Sequence, residues 1–222
     1  MSRPIRGETV AVAGLVAALT AACFGGGSTP QINYYALSPP DTVAKSGVAP
    51  AIAVEELRAQ APYDERRIVY RTSPYQLSYY EYDQWAAAPG VLVADYLRRA
   101  YQASGRFGLV LPRPGTDTAA ILGGQVLAFE ETGRSKPTEK GASKTDTDAA
   151  TTWKARIVLD LELRDAESGR ILWTRRTEQE IALASRKPEA LAAALSKALT
   201  EIAATTASEV ATAATTATAA RQ

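Results

Sequence analysis

Between Ile157 and Arg164 the chain alternates. Ile157, Leu159, Leu161 and Leu163 are separated by Val158, Asp160, Glu162 and Arg164, the period of two expected of a strand with one face buried and the other wet. Asp165 to Gly169 (DAESG) then turns the chain, and Arg170 to Ile181 returns with Ile171 and Trp173 on the same parity, which specifies an antiparallel hairpin. From Pro188 the period changes. Leu191, Leu195, Leu199 and Ile202 recur every three or four residues behind Pro188 and Glu189, the signature of a helix with one packing face. Alanine, the best helix former, fills the gaps.

The rest of the chain fits around this unit. Ile52 to Leu57 reads as a brief strand broken at Pro62 and Tyr63. Arg67 to Thr72 and Gln76 to Tyr82, rich in β-branched and aromatic residues, flank Ser73-Pro74-Tyr75 and read as a second hairpin. Pro89 opens a helix carrying Val93, Leu97, Ala100 and Tyr101, which Gly105 stops. Phe107 to Leu111 is a short apolar run. Ala120 to Glu131 is a longer strand whose Gly123-Gly124 pair suits a bulge or close packing. Gly133 to Thr152 is polar, with Lys136, Lys140 and Lys144 and then Lys154 just beyond, and reads as a mobile hairpin loop or disordered excursion. The expected architecture is α+β: a single domain, with a mostly antiparallel or mixed sheet and two main helices packed on it. Its span is 34–210, and 211–222 is an Ala/Thr tail expected to be disordered.

Function is bounded by what is missing. The chain has 222 residues, no histidine and one cysteine, Cys23. The usual general base, the usual nitrogen metal ligand and any internal disulfide are therefore excluded. Arg3 and Arg6 precede an apolar run, Val10 to Leu19, and then Thr20-Ala21-Ala22 leads into Cys23, the plan of a secretory signal. The apolar run is half of the roughly 20 residues a spanning helix needs. Leu19-Thr20-Ala21-Ala22-Cys23 resembles a bacterial lipobox, displaced by one because that motif usually has leucine where Thr20 stands. Residues 1–22 are accordingly expected to be a lipoprotein signal peptide, with Cys23 the lipid-attachment residue. Several acyl chains on one residue exceed the two signals that stable anchoring takes. Residues 23–33, rich in Gly, Ser and Pro, form a flexible tether reaching at most about 33 Å. Removing Arg3, Arg6 and Glu8 with the signal leaves a formally neutral chain, which gives no reason to expect nucleic acid as a partner.

No nucleotide-binding glycine loop or S-x-x-K motif occurs, and Glu55-Glu56 and Glu130-Glu131 are adjacent on extended runs, pointing to opposite faces as solvated rims. No enzyme activity, cofactor or metal is expected. Six of the ten tyrosines and Trp85 lie between Pro62 and Trp85. Aromatic and arginine side chains dominate protein interfaces, so Tyr63, Arg67, Arg71, Tyr82 and Trp85 form a candidate partner surface. A sheet face capped by a helix accounts for the same residues.

The ordered set Cys23, Tyr34-Tyr35-Ala36-Leu37, Pro62-Tyr63-Asp64-Glu65-Arg66-Arg67-Ile68-Val69-Tyr70-Arg71 and Tyr82-Asp83-Gln84-Trp85, then Pro89 and the helix, resembles the ABC-type transport auxiliary lipoprotein family. This is the paraquat-inducible protein C and YmbA-like group. The resemblance runs from about Tyr34 to Ile202; the polar stretch after Glu131 and the Ala/Thr tail fall outside it. It implies a non-catalytic component on the periplasmic side of a double-membraned envelope; separately, Phe24 rather than Asp follows Cys23, which leans toward the outer membrane over the inner. Its partners would be an MCE-domain protein with the permease and ATPase of one lipid transporter, and several copies could form a homo-oligomer. A lipoprotein that activates or regulates a cell-envelope synthase would share the anchor, the tether and the fold class.

Overall fold

The structure is a computed structural model that describes residues 30–41, 47–135 and 151–220. The chain divides into a short N-terminal unit, Met1–Gln31, and a body, Ile32–Gln222. Cys23, the signal peptide and most of the tether lie outside the described residues, as do Lys136, Lys140 and Lys144. The body has the expected α+β architecture: two helices packed on one large open sheet. Among the described residues, no helix is long and apolar enough to cross a membrane.

The predicted hairpin forms, and a longer ladder adjoins it. β7 (Ala120–Ser135) and β8 (Thr151–Asp165) are antiparallel along their whole length, and β9 (Ile171–Ala182) continues the sheet beyond β8. Residues 133–135 and 151–152, read from sequence as part of a polar loop, belong to this ladder. The other side of β7 receives three strands in succession, all parallel to it. These are β2 (Ile52–Val54), β3 (Arg58–Ala59) and β4 (Arg67–Ser73). β4 pairs antiparallel with β5 (Gln76–Trp85), as the second hairpin predicts. β1 (Asn33–Tyr35) runs parallel to the end of β5, and β6 (Val110–Leu111) runs parallel to β2. The sheet is therefore mixed, because alternation within one strand says nothing about the direction of its neighbours.

Ile157, Leu159, Leu161 and Leu163 are all fully buried. Ile171 and Trp173 do not share a face as parity suggested. A register shift near Arg164 leaves Leu163 opposite Trp173 and Arg164 opposite Ile171, and Ile171 is exposed. One extra residue in a strand reverses the alternation. The irregularity in β7 falls between Val126 and Ala128 and not at the glycine pair. Gly124 serves close packing instead. Its φ is 141°, and a Cβ there would lie 2.1 Å from the Asp160 carbonyl oxygen.

Helix α1 (Pro89–Ala103) begins on its proline, and Gly105 lies just beyond its end. α2 (Pro188–Ala219) buries Leu191, Leu195, Leu199 and Ile202 as predicted. Two buried tyrosines of α1 tie the helices together. Tyr96 donates to the Ser196 carbonyl at 2.8 Å, and the Tyr101 and Thr206 hydroxyls are 2.7 Å apart. Buried phenols of this kind need a polar partner, and the Thr206 hydroxyl and the Ser196 carbonyl of α2 supply it.

The tail expectation is overturned up to Ala219. Ala207, Val210, Ala214 and Ala217 continue the buried stripe at spacings of three and four. Small side chains let a helix pack closely without bulk. The Thr212, Thr215, Thr216 and Thr218 hydroxyls bond to carbonyls four residues back, so they do not compete with the helix. Glu209 fixes the same segment to β9 by accepting from Trp173 Nε1 at 3.1 Å and pairing with Arg175.

Candidate functional site

The central strand carries two adjacent acids, Glu130 and Glu131, at the level where β4 and β8 flank it. The alternation of a strand sends them to opposite faces. Both are fully buried, which corrects the reading of solvated rims. Their surroundings differ.

Glu130 is saturated with donors. Tyr63 donates to Oε2 at 2.6 Å, Arg71 Nε lies 3.1 Å from the same oxygen, and Arg156 Nη1 lies 3.1 Å from Oε1. Arg71 also reaches the Tyr63 hydroxyl at 3.3 Å and the Pro74 carbonyl at 3.3 Å, while Arg156 bonds Glu178 at 2.7 Å. A buried carboxylate is tolerated only when paired and hydrogen-bonded in this way. Burial, then the bond to Glu130, pushes the Tyr63 hydroxyl up to about 12, so it remains a donor at any physiological pH. A cleft of about 550 Å³ opens over the cluster, lined by Arg71, Thr132, Lys154, Arg156 and Glu180.

Glu131 is less well provided. The Tyr80 hydroxyl donates to Oε2 through a short hydrogen bond, but no hydrogen bond reaches the buried Oε1. Arg186 Nε, in the loop before α2, stands 3.5 Å from that oxygen. The Arg186 guanidinium lies 3.9 Å from the Trp153 ring centroid and 5.3 Å from that of Tyr70. The Trp153 ring covers Gly133 so closely that a Cβ there would lie 2.6 Å from it. Burial raises the Glu131 carboxyl above the ordinary carboxylate range, partly opposed by Tyr80 and Arg186.

The candidate partner surface is thus split. Trp85 is fully buried, edge-on to Phe129 with ring centroids 5.0 Å apart, and its indole nitrogen has no hydrogen-bond partner. Tyr63 is also buried, and Arg71 holds the Glu130 cluster with most of its surface covered. These three are structural residues. Arg67 and Tyr82 do reach solvent. Arg67 stacks on Tyr79 with its guanidinium 3.7 Å from the ring centroid and pairs with Glu65 at 2.8 Å, and Tyr82 bonds Glu81 at 2.8 Å. Tyr34 and Tyr75, at 55% and 98% exposure, are solvent-facing aromatics outside the candidate partner surface read from the sequence. Among the described residues no group of acids, histidines or cysteines is placed to hold a metal ion.

An α+β body with two helices on a mixed sheet, preceded by a lipobox-like cysteine, describes a class of envelope lipoproteins. The profile of the ABC-type transport auxiliary lipoprotein component family matches residues 35–207, and the chain belongs to that family. No curated protein matches it in sequence. Among solved structures, protein XCC0632 from Xanthomonas campestris, assigned to family DUF330, is 22% identical, with 82% of this chain and 96% of that chain covered and a TM-score of 0.62. An uncharacterised protein is 17% identical, with 81% and 99% covered and a TM-score of 0.60. Both share the fold.

Proposed function

We propose that the chain is a non-catalytic auxiliary lipoprotein of an MCE-type ABC transport system, moving lipids or other hydrophobic molecules between the two membranes of the envelope. The single observation that carries this reading is the family match, which spans nearly all of the body from Tyr35 to Ala207. The lipobox-like run Leu19 to Cys23 supports attachment of the chain to a membrane through acylated Cys23. The role implied by the family supports the periplasmic side, and the absence of Asp after Cys23 leans toward the outer membrane. The ATPase of the transporter supplies the energy, and this subunit docks the MCE-domain protein that spans the periplasm. Several copies around one axis would match a symmetric partner.

Docking falls to the exposed part of the aromatic and basic strip, Arg67, Tyr79 and Tyr82 with neighbouring Tyr34. Tyrosine and arginine with partial exposure are the residues that dominate binding energy at protein interfaces. The test is affinity capture from detergent-extracted envelopes. The wild-type chain is expected to retain the MCE-domain protein together with its permease and ATPase, and the double variant Arg67→Ala, Tyr82→Ala to lose it while unfolding at an unchanged temperature. Capture of no transporter component by the wild type rejects the function; equal capture by the double variant rejects the docking surface.

A further inference from the structure

Strand directions bring several features to one end of the sheet. β4 and β5 turn there, at Ser73 to Gln76. β7 runs parallel to β4, with Arg71 beside Thr132, so the β7–β8 connection leaves at the same end, where Ser135 faces Thr151. β9 finishes there, Ala182 lying opposite Lys154, and hands the chain to α2 through a loop carrying Arg186 and Lys187. β1 begins beside Asp83 and runs parallel to β5, away from the turn. At Asn33 the chain thus enters β1 heading away from the β4–β5 turn.

The β4–β5 turn is chemically distinctive. Tyr75 at its tip is 98% exposed and Leu77, two residues on, is 37% exposed. Lys154, Arg186 and Lys187 are exposed or half-exposed on the strand and loop beside it. The opposite end carries the β8–β9 turn, where Glu167 and Arg170 are exposed and Asp165 is buried, accepting from the Glu167 and Ser168 N–H groups. Tyrosine partitions to the headgroup layer of a bilayer, with its ring among the acyl ends and its hydroxyl wet, and lysine and arginine beside it suit lipid phosphates. Seven residues of β5 separate Asp83 from Gln76, which is about 24 Å along a strand. The ten residues from Cys23 to Asn33 reach at most about 33 Å.

We infer that this end of the sheet faces the bilayer, and that Tyr75 and Leu77 sit in its headgroup layer as a second contact in addition to the lipid anchor. The inference rests on the reading of Cys23 as lipidated. It deepens that reading by fixing which end of the body meets the membrane and which is presented to the periplasm.

Cys23 is the only cysteine and acylation consumes it, so a single introduced thiol can be labelled in the full lipidated chain. Gln76→Cys and Ser168→Cys, both at exposed positions at the two ends of the sheet, are labelled with a polarity-sensitive fluorophore and reconstituted in phosphatidylethanolamine and phosphatidylglycerol vesicles. The expected result is a blue shift at position 76, with quenching by nitroxide-headgroup lipid, and neither change at position 168. Adding Tyr75→Asp to the first variant is expected to reduce both effects. A protein that floats with the vesicles while position 76 stays as wet as position 168 overturns the orientation and leaves the anchor standing. A protein that does not float at all refutes the anchor, and the orientation with it.

Discussion

Glu130 and Glu131 are neighbours on one strand, equally buried, with the same side chain, yet they are held in opposite ways. Glu130 receives one tyrosine hydroxyl and two arginines from three separate segments. Glu131 receives one tyrosine hydroxyl and a distant arginine, and one of its oxygens lacks a hydrogen bond. Burial alone therefore does not tell what an acid contributes. The number of donors that arrive with it decides. On the Glu130 face the charges lock the Tyr63 loop and β4 to the β7–β8 pair; on the Glu131 face the acid is an incompletely compensated charge beneath an exposed arginine.

The comparison is broken most forcefully at Glu130. Glu130→Ala leaves the Arg71 and Arg156 guanidinium groups without their shared acceptor, and loss of one partner from a buried pair costs about 3–5 kcal/mol. Chemical denaturation should show that loss, and a fall much smaller than the one from Glu131→Ala would reverse the assignment. Tyr63→Phe removes one donor and should cost about 1–3 kcal/mol, the penalty for a buried acceptor left short of a partner.

At Glu131 the expected effects are smaller and depend on pH. Its carboxyl titrates higher folded than unfolded, so between the two values the folded state holds the extra proton. Stability from this group is thus fully present below the unfolded value and is lost as pH rises through the folded one. Glu131→Gln, which is always neutral, should gain on the wild type over that rise. Denaturation midpoints of both proteins across the acid range test this, and a difference independent of pH contradicts it. Smallest is Arg186→Ala, which removes a partly exposed cation from above Trp153 and should cost about 0.5–1 kcal/mol.

Most of the fold was legible because it rests on local periodicity. The alternation at Ile157 to Arg164, the helical spacing from Leu191 to Ile202 and the Pro89 helix start each describe one element. What could not be read depends on residues distant in the chain. Strand direction around β7 and the one-residue shift near Arg164 arise only once strands pair. The same holds for the site. Glu130 and Glu131 look like surface charges until Arg71, 59 residues away, and Arg156, 26 residues away, are brought to the first of them. Tyr63 and Trp85 belong to the core for the same reason, as the reading of a capped sheet face allows and the reading of a partner surface does not. In the Ala/Thr tail, low bulk reads as lack of structure in the sequence, whereas it is what allows Ala214 and Ala217 to pack.

Both the attachment to a membrane and the orientation of the body stand on Cys23. The most direct measurement is the intact mass of the protein extracted from membranes of cells that make it. The account predicts a chain beginning at Cys23, lacking residues 1–22 and heavier by a diacylglyceryl group and an N-terminal acyl chain. A chain retaining Met1, or one beginning elsewhere with an unmodified thiol at Cys23, would contradict it.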